Sequence, residues 1–413
     1  MNTPAVPDRT ASRSLDEALV DIRKRCTPLP AERVSLGNAL GRVLRENIHA
    51  PEDAPAFDRS AVDGYAIRRD EAGMDLRVVD NIRAGEWKPR ILQPGEAVQI
   101  ATGAALPCDG LRVVMLEDTQ REGALVHLAS LGTGLNVRFR GEAMREGQLV
   151  LPVGSRLHPG ALALLASIGH VQPLVSPRLS VLHLTTGDEI VPPDVVPIQG
   201  QVRDCNSILI RSLLRAWPCD VAHQHLPETF EIAWSSLDHP SIADVDLLLV
   251  SGGSGIGERD FTRALLERLG YTIVFDQIKT RPGKPTIMAV NGHRVAFGLP
   301  GNPLAHFVCF HLEVVTALAQ LLGSGSTPGF LRGRLGTELP DEACPRETLH
   351  PARLEWAGTA PRLRPLRWNN SGDITCLAEA DAILRVPANS EAIPADGEVQ
   401  FLPLVPLTAS GSS

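Results

Sequence analysis

The chain has 413 residues, of which 43% are hydrophobic and 21% charged, and its net charge is −8. This balance is typical of a chain that buries several cores, and it excludes a disordered or fibrous protein. The acidic charge argues against a nucleic-acid footprint, and no run approaches the roughly 20 apolar residues that cross a bilayer. The polar N-terminus lacks the apolar segment of a secretory signal, and the seven cysteines form no Cys-x-x-Cys pair. We therefore predict a cytoplasmic protein that binds neither nucleic acid nor membrane.

The first part of the chain predicts a helical region interrupted by a β domain. A helical pattern runs from Ser14 to Leu44, with a Ser14/Glu17 capping box and prolines at 28 and 30 that stop the first helix. A second helix is predicted between Arg156 and His170. The turn-rich stretch between them contains the β-rich runs Leu76–Val79, Ala97–Ile100, Arg112–Leu116 and Leu125–Leu128. We expect a split helical domain at 10–50 and 141–176 and an inserted β domain at 51–140.

Residues 177–325 predict a mostly parallel, doubly wound α/β domain. Short apolar runs alternate there with helical patterns, the longest of which spans Leu304–Leu322. Asn291-Gly292-His293 separates two apolar runs and predicts a hairpin at one edge of the sheet. A glycine-rich linker follows, and the alternating runs Ala382–Val386 and Val399–Leu402 predict a C-terminal β domain at 330–407.

Three loops of the α/β domain are expected to meet, because ligands bind outside the carboxyl ends of parallel strands. These loops span residues 185–190, 251–260 and 298–303. Ser251–Gly257 contains four glycines, whose freedom at positive φ favours an anion-binding nest, although a plain strand-to-helix turn is the alternative. No G-x-G-x-x-G or Walker A spacing is present, which disfavours a dinucleotide oxidoreductase and a P-loop NTPase.

Charged residues near these loops suggest oxyanion and magnesium binding. Arg281 and Lys284 place two cations on one turn, a pair suited to a phosphate or a small oxyanion, although surface loops also carry such cations. The carboxylates Asp188, Glu189 and Asp260 together suit Mg²⁺, although any one of them alone is more often an N-cap or a solvated turn residue. The pairs His223/His225 and His306/His311 lack metal-ligand spacing and are interpreted as packing or surface residues.

Several segments, taken together and in this order, resemble the molybdopterin molybdenumtransferases, the family of bacterial MoeA and the gephyrin E domain. The resemblance spans Leu15 to Leu404. It rests on Asp58-Arg-Ser-Ala-Val-Asp-Gly-Tyr-Ala66, Thr102-Gly-Ala with Pro107, Thr186-Gly-Asp-Glu189, Ser251-Gly-Gly, Asp260, Pro282-Gly-Lys-Pro285 and Leu299-Pro-Gly-Asn-Pro303. It implies a multidomain fold: a central doubly wound, mostly parallel α/β molybdopterin-binding domain, an inserted small β domain, a split helical region and a C-terminal β domain. It also implies an elongated homodimer with its site between subunits.

The resemblance implies insertion of molybdenum from molybdate into adenylylated molybdopterin, with release of AMP and help from Mg²⁺. Expected partners are the molybdopterin adenylyltransferase and downstream molybdoenzyme maturation proteins. The residues implied to be catalytic are Asp58, Asp188, Glu189, Asp260, Arg281 and Lys284, with Asp188, Glu189 and Asp260 as metal ligands. Those implied to bind substrate are Arg59, Ser60, Asp63, Thr102, Arg140, Glu142, Thr186, Gly187, Ser251, Gly252, Gly253, Ser254, Pro300, Asn302, Pro303, Arg353 and Ser371.

The chain departs from the family pattern at several of these positions. Ala143 stands where the family usually has an active-site carboxylate, Gly255 and Ala305 replace hydroxyl residues, and Arg281 replaces a lysine. Where the family has an acidic pair, this chain has Pro227-Glu228. Losing a central transition-state contact costs roughly 10²–10³ in rate. A rival interpretation is therefore a catalytically weak paralogue that binds molybdopterin or the finished cofactor as a carrier or assembly scaffold.

Overall fold

A computed structural model describes residues 12–237, 242, 244–252, 258–325, 328–341, 344–357, 360–369 and 372–404. The chain forms two compact units. The smaller unit comprises Asn47–Pro152 and Ala163–Val171, and the larger unit comprises the rest.

The first helix spans Leu15–Arg25 and has the predicted capping box. The Glu17 carboxylate accepts a hydrogen bond from the Ser14 backbone amide at 2.8 Å, and this bond lowers the pKa of Glu17. The helical pattern beyond Arg25 was wrong. A two-residue strand, Glu32–Arg33, and a 3₁₀ turn, Leu36–Asn38, occupy that stretch. The prolines at 28 and 30 account for the change, since each removes an amide that a continuing helix needs. The second predicted helix is present at Pro159–Ser167.

The smaller unit contains a six-stranded sheet. Adjacent residues of its strands point to opposite faces, so that Tyr65, Ile67 and Val114 enter one core while Ala66 and Val113 enter another. All four predicted runs are strands: Leu125–Leu128 has the predicted bounds, the run at 112–116 is shifted back by one residue, and the other two are longer than predicted. In sheet order the strands are Leu111–Met115, Gly64–Arg68, Glu96–Ile100, Asp75–Ile82, Leu125–Leu128 and Thr119–Glu122. Two short pairings join Ile48–His49 to Leu149–Leu151 and Arg59–Ser60 to Val137–Arg138.

The α/β domain of the larger unit has a six-stranded mixed sheet, of which the first four strands run parallel. In sheet order they are Cys219–Leu226, Leu179–Thr186, Leu247–Ser251, Arg294–Leu299, Ile287–Asn291 and Thr272–Phe275. The surrounding helices are Asn206–Leu214, Phe230–Ser236, Glu258–Arg268 and the long helix that begins at Pro303. The predicted hairpin is confirmed, with Asn291 opposite Arg294. It does not form the sheet edge, because Thr272–Phe275 pairs outside it.

The long helix at Pro303–Leu322 contains a π-helical segment at Phe310–Val314 and ends at Gly323, whose φ is +72°. In the part of the chain that the structure describes, it is the single helix long and apolar enough to cross a membrane, so the statement that no run approaches that length needs correcting. In its most apolar window 83% of the residues are buried inside the protein. It is therefore the central helix of the larger core, where it packs with the first helix.

The C-terminal region is a closed barrel, because Glu347–Ala357 pairs with the strands on both of its sides. In order around the barrel the strands are Glu347–Ala357, Ala360–Pro365, Leu331–Leu335, Glu398–Pro403 and Ala382–Val386. Thr280–Arg281, from the α/β domain, runs parallel to the start of Glu347–Ala357. The expected multidomain fold with a central α/β domain and flanking β domains is confirmed.

The π-helical segment buries an acid in the apolar core. Glu313 is 1% exposed, and its Oε2 has no hydrogen-bond partner among the described residues. Burial raises the pKa of Glu313 to about 8. The acid is therefore protonated in the folded chain at neutral pH, whereas it is ionised in the unfolded chain.

We expect Glu313→Gln to stabilise the protein increasingly as pH rises. Because the folded pKa exceeds the unfolded one, the native acid carries no ionisation penalty below about pH 4.5, and the penalty grows up to about pH 8. At pH 7 it amounts to about 3 kcal/mol, at 1.36 kcal/mol per pH unit. Free energies of unfolding from urea titrations at pH 5.5 and pH 8 measure the difference. Glu338→Gln, at an exposed position, is the matched control. Equal differences at both pH values for Glu313→Gln would contradict the assignment.

Candidate functional site

The loop 185–190, the start of the loop 251–260 and the end of the loop 298–303 meet in one pocket of about 400 Å³ at the carboxyl edge of the parallel strands. The strands Leu179–Thr186, Leu247–Ser251 and Arg294–Leu299 are adjacent and parallel, so the segments that follow them lie at the same edge. The lining residues come from these segments, from the loop before the helix Asn206–Leu214 and from the C-terminal region: Thr185, Thr186, Glu189, Ile190, Val202, Arg203, Asp204, Cys205, Asn206, Ser251, Gly252, Gly301, Asn302, Pro303 and Gly372.

A very close backbone approach shapes one wall of this pocket. Gly252 has φ +108°, and a Cβ built there would lie 2.6 Å from both the carbonyl oxygen and the Oγ1 of Thr186. A side chain at position 252 would therefore separate the two strand ends. Gly187, the next residue after Thr186, also has positive φ, at +137°. Gly253 and Ser254, with the rest of the predicted anion nest up to residue 257, lie outside the described residues, so the nest stays a prediction.

The opposite wall is built around the start of the long helix. Asn302 is the residue before the helix, and Pro303 occupies the first helical turn, where its missing amide costs no hydrogen bond. The Asn206 side-chain amide donates to the Gly301 carbonyl at 2.6 Å and so ties two lining segments together. Pro300 stands just before them, and its carbonyl accepts a hydrogen bond from His306 Nδ1 at 2.9 Å.

The predicted magnesium ligands are placed differently from one another. Glu189 lines the pocket, whereas Asp188 accepts a hydrogen bond from the Glu228 amide at 3.1 Å. The side chain of Asp260 lies outside the described residues, although its backbone belongs to the helix Glu258–Arg268. Over the described residues, no three His, Cys, Asp or Glu side chains are grouped to hold a metal ion. One or two carboxylates plus ligand oxygens suffice for Mg²⁺, so Glu189 fits that ion when an anionic ligand shares it.

The two predicted cations lie on a turn packed against the long helix. The Arg281 guanidinium lies over the Trp368 ring, 4.9 Å from its centre, and Lys284 is exposed. Gly283, with φ +102°, lies so close to the helix that a Cβ there would be 2.9 Å from Cys309 Sγ. Cys309 is six residues beyond Pro303, or roughly 9 Å along the helix axis. The lining residues named above do not include Arg281 or Lys284. The cation turn is therefore a separate feature of the same domain.

Two of the predicted site residues, Arg353 and Ser371, belong to the C-terminal region. Arg353 donates to Glu379 at 3.4 Å on the barrel. It lies five residues from Thr348, the neighbour of Arg281 in the sheet, a distance of roughly 17 Å along a strand. The structure therefore does not bring Arg353 to the cation turn. Ser371 lies outside the described residues, but the next residue, Gly372, lines the pocket.

In the smaller unit, one predicted group surrounds Arg140. Its backbone amide donates to Asp58 Oδ1 at 2.8 Å, and its Nε donates to Asp53 Oδ2 at 2.7 Å. The Glu146 amide and then Arg140 hold the pKa of Asp53 below its usual range. The structure thus brings Asp58 and Arg140 together, and it adds Asp53, which sequence reasoning missed because no motif links residues 53 and 140.

Both carboxylate oxygens of Glu142, the residue before Ala143, have hydrogen-bond partners within their own turn. One of its oxygens accepts from the Phe139 amide and the other from Arg138, both at 3.0 Å, and these bonds lower the pKa of Glu142. The Ala143 amide donates to the Ala54 carbonyl at 2.9 Å. Both residues therefore stabilise the local turn.

The remaining predicted residues of the smaller unit also have local partners. Asp63 accepts from the backbone amide and hydroxyl of Thr102 at 2.7 and 2.9 Å, and the amide bond is the main cause of its lowered pKa. The buried Ser60 hydroxyl donates to the Val62 carbonyl, and Arg59, in the same short strand, is exposed. Asp63 and Thr102 are brought together, as one structural pair that closes a turn.

Sequence reasoning missed a hydrogen-bonded group of histidines beneath the pocket. Ser251 Oγ lies 2.5 Å from His183 Nε2 and 3.1 Å from His306 Nε2. Thr185 Oγ1 lies 3.1 Å from both His223 Nε2 and His225 Nδ1. The interpretation of His223, His225 and His306 as ordinary packing residues was incomplete. Strand parity could have revealed the group, because alternate residues of paired parallel strands share a face and the register sets His183 beside His223. His311 does pack, against the Phe307 ring.

The fold and pocket define a multidomain protein whose α/β domain carries its ligand site at the end of a parallel sheet. Residues 183–320 match the family described as "Probable molybdopterin binding domain". Residues 13–169 match the MoeA N-terminal region (domain I and II), and residues 328–404 match the MoeA C-terminal region (domain IV). The chain belongs to the MoeA family.

Known proteins resemble the chain over nearly its whole length. A Staphylococcus epidermidis protein named molybdopterin molybdenumtransferase is 27% identical over 413 residues, which cover 97% of this chain and 96% of that protein. A Staphylococcus aureus protein of the same name is 28% identical over 395 residues, or 94% of each chain. A crystal structure titled molybdopterin biosynthesis moea protein from "Pyrococcus horikosii" has a TM-score of 0.78 and 29% identity, and it covers 95% of this chain and 99% of that one.

We expect Gly252→Ala to open the pocket wall and destabilise the protein. The added Cβ would meet the Thr186 backbone, and φ +108° is strained for alanine, so the free energy of unfolding should fall by about 2–4 kcal/mol. Gly292→Ala is the matched control: its φ is +62°, and nothing lies within 4 Å of its Cβ position. The control should lose only about 1 kcal/mol. Denaturant titration measures both, and an equal loss in the two variants would refute the close approach.

Proposed function

We propose that this chain inserts molybdenum into adenylylated molybdopterin, releasing AMP and forming molybdenum cofactor. The observation that carries the proposal is the pocket: segments from three parallel strands converge in the domain that matches a molybdopterin-binding family. Its lining of backbone, hydroxyl and amide groups suits a polar ligand. The names of the full-length relatives support a transferase of molybdenum cofactor biosynthesis.

The larger unit supplies both parts of the proposed substrate site. Thr186, Ser251, Gly252 and Asn302 would contact the pterin-bearing substrate, since all four line the pocket. Arg281 and Lys284 would compensate the charge of molybdate from the neighbouring turn. Stacking on Trp368 favours an arginine at position 281, because a guanidinium is planar and a lysine is not. Water would cleave the phosphoanhydride and so release AMP, and two Mo–O bonds of molybdate would be exchanged for two Mo–S bonds to the dithiolene, with the displaced oxygens leaving as water.

The proposal includes magnesium because Glu189, one of its predicted ligands, lines the pocket. Asp188, the preceding residue, would complete the acidic edge, although it already accepts from the Glu228 amide. When bound, Mg²⁺ neutralises the charge of the phosphate oxygens. The protein's own part would be to hold the substrate against that edge.

We further propose a cytoplasmic homodimer in which Asp58, Asp63 and Arg140 act from the partner subunit. Their carboxylates and guanidinium lie on turns that backbone hydrogen bonds already hold rigid, which suits residues that meet a ligand on another chain. The molybdopterin adenylyltransferase would deliver the substrate, and molybdoenzyme maturation proteins would take the product.

One observation favours a second candidate, a carrier or assembly scaffold with little turnover. Ala143 leaves its turn without the carboxylate usual in the family, and both Glu142 oxygens are engaged within that turn. A chain that binds molybdopterin without using it would tolerate this loss.

Anaerobic turnover separates the two candidates. With adenylylated molybdopterin, Mg²⁺ and molybdate, we expect AMP release that depends on molybdate, and Ala143→Asp should change its rate less than about tenfold. Ala143→Asn, which has the same shape without the charge, is the control. Restoring a missing central contact would raise the rate roughly 10²- to 10³-fold. Such a gain in the aspartate variant alone, or tight binding without AMP release, would favour the carrier.

Lys284→Ala should raise the molybdate concentration for half-maximal rate about tenfold, because a bond to a charged group is lost. The melting temperature should stay unchanged, since an exposed cation contributes little to stability. Lys279→Ala, another exposed lysine nearby, is the control. If Lys284→Ala and the parent titrate molybdate alike, Lys284 does not hold the oxyanion.

A further inference from the structure

A buried chain of hydrogen bonds lies beneath the pocket and joins its loops. His183 Nε2 bonds to Ser251 Oγ at 2.5 Å, Ser251 Oγ bonds to His306 Nε2 at 3.1 Å, and His306 Nδ1 bonds to the Pro300 carbonyl at 2.9 Å. Both histidines are 0% exposed and Ser251 is 2% exposed. This series of hydrogen bonds therefore connects the strand Leu179–Thr186, the end of Leu247–Ser251 and the start of the long helix.

The Pro300 carbonyl, at one end of this series of hydrogen bonds, determines where the protons lie. A carbonyl can only accept, so His306 Nδ1 carries a proton and donates it to Pro300. Burial lowers the pKa of His306 to about 4 and that of His183 well below its usual value, so both imidazoles are neutral at pH 7. His306 Nε2 is then an acceptor. The single hydroxyl proton of Ser251 is donated to it, and His183 Nε2 must supply the proton of the third bond.

With the protons placed in this way, the Ser251 hydroxyl can only accept a hydrogen bond from a group in the pocket that it lines. Its proton is committed to His306 and one lone pair accepts from His183, so a single lone pair remains. We propose that His183 and His306 are positioning residues that hold the Ser251 hydroxyl as a hydrogen-bond acceptor for an N–H or O–H group of the ligand. Phosphate oxygens of an ionised ligand are acceptors themselves and are disfavoured there.

Combined with the proposed function, on which this step rests, the donor is an N–H of the pterin. A pterin carries ring and amino N–H groups, whereas an ionised phosphoanhydride carries none. The adenosine end of the substrate also carries N–H and O–H groups, and the measurement of AMP affinity below distinguishes it from the pterin. Ser251 therefore recognises the pterin end of the substrate. The glycine-rich sequence that begins at this residue had instead predicted a site for the phosphate. A serine free to rotate would accept either group, so the two histidines determine the choice.

The same contacts also resemble an activated serine nucleophile, in which a histidine base takes the hydroxyl proton. Two features oppose that use. The partner of His306 Nδ1 is a neutral carbonyl and not the buried carboxylate that orients and stabilises a catalytic imidazolium, and His183 donates to the same oxygen that would attack. The arrangement suits an oriented acceptor better than a nucleophile.

Nitrogen NMR of the full chain with ¹⁵N-labelled histidine tests the proton positions without any substrate. Loss of signals in His183→Gln and in His306→Gln assigns the two rings. We expect an Nδ1–H tautomer for His306 and an Nε2–H tautomer for His183, both unchanged from pH 6 to pH 8. The opposite tautomer in either ring, or titration of either ring within that range, would overturn the inference.

Binding measurements test the recognition step. Ser251→Ala and His306→Leu should each weaken binding of molybdopterin about 3- to 10-fold, the effect of one neutral hydrogen bond. The double variant should lose no more than the larger single loss, because both remove the same interaction. His306→Gln, which keeps an acceptor near the Nε2 position, should restore binding to within about twofold of the parent. Affinities for AMP and inorganic phosphate should not change.

Two outcomes of the binding series would contradict the inference: additive losses, or a loss of phosphate affinity in place of molybdopterin affinity. A covalent ligand adduct on Ser251, detected by mass spectrometry, would establish the nucleophile instead. Failure of the parent chain to bind molybdopterin would count against the proposed function alone, because the tautomer measurement stands without it. If His306→Leu does not fold, as judged by its melting curve, Ser251→Ala and His306→Gln carry the comparison.

Discussion

The parallel register of three adjacent strands is the constraint on which the pocket depends. Leu179–Thr186, Leu247–Ser251 and Arg294–Leu299 are paired so that Thr185, Ser251 and Leu299 end at the same level. Apolar residues on both faces of these strands fix that register, because a slip of one residue would exchange the two faces. The convergence of the loops is therefore a consequence of how the cores pack.

The change from core to site takes place within two or three residues along each strand. Leu247 and Leu249 face the core that contains the long helix, and Ser251 follows them on the same face. Val181 precedes His183 and Thr185 in the same way. Buried polar groups are costly unless they are hydrogen-bonded, and this layer bonds to itself through imidazole and hydroxyl groups. The floor of the pocket is thus polar and fixed while the core beneath it stays apolar.

The sequence predicts the elements of this fold well because periodicity and turn residues are local signals. The strands Leu125–Leu128 and Ala382–Val386 have the predicted bounds. The helical pattern past Arg25 was wrong, because two prolines outweighed an apolar spacing that also suits short strands. Closure of the C-terminal barrel could not be predicted, since it depends on which distant strands pair.

The same limit applies to the candidate site. The loops around Thr186, Ser251 and Asn302 were predictable because each follows a recognisable strand or precedes a recognisable helix. The pairing of Asp53 with Arg140 was not, because it joins residues that are distant in the chain and share no motif. Predicting the histidine group would have required both the strand parity and the strand register. Considering His306 only together with His311, its neighbour in sequence, does not show that His306 and His183 share Ser251 as a partner.

The two units differ in how their polar residues are used, and this bears on the choice between transferase and carrier. In the smaller unit, Asp63 and Glu142 accept backbone hydrogen bonds that close their own turns. In the larger unit, Glu189 and Ser251 line a pocket, and the hydroxyl of Ser251 is oriented by residues outside it. A binder needs only the pocket, whereas a transferase also needs groups that act on the reacting bond. Under the proposed transferase function, Ala143 would weaken the contribution of the smaller unit, and catalysis would depend more heavily on the acids and cations of the larger one.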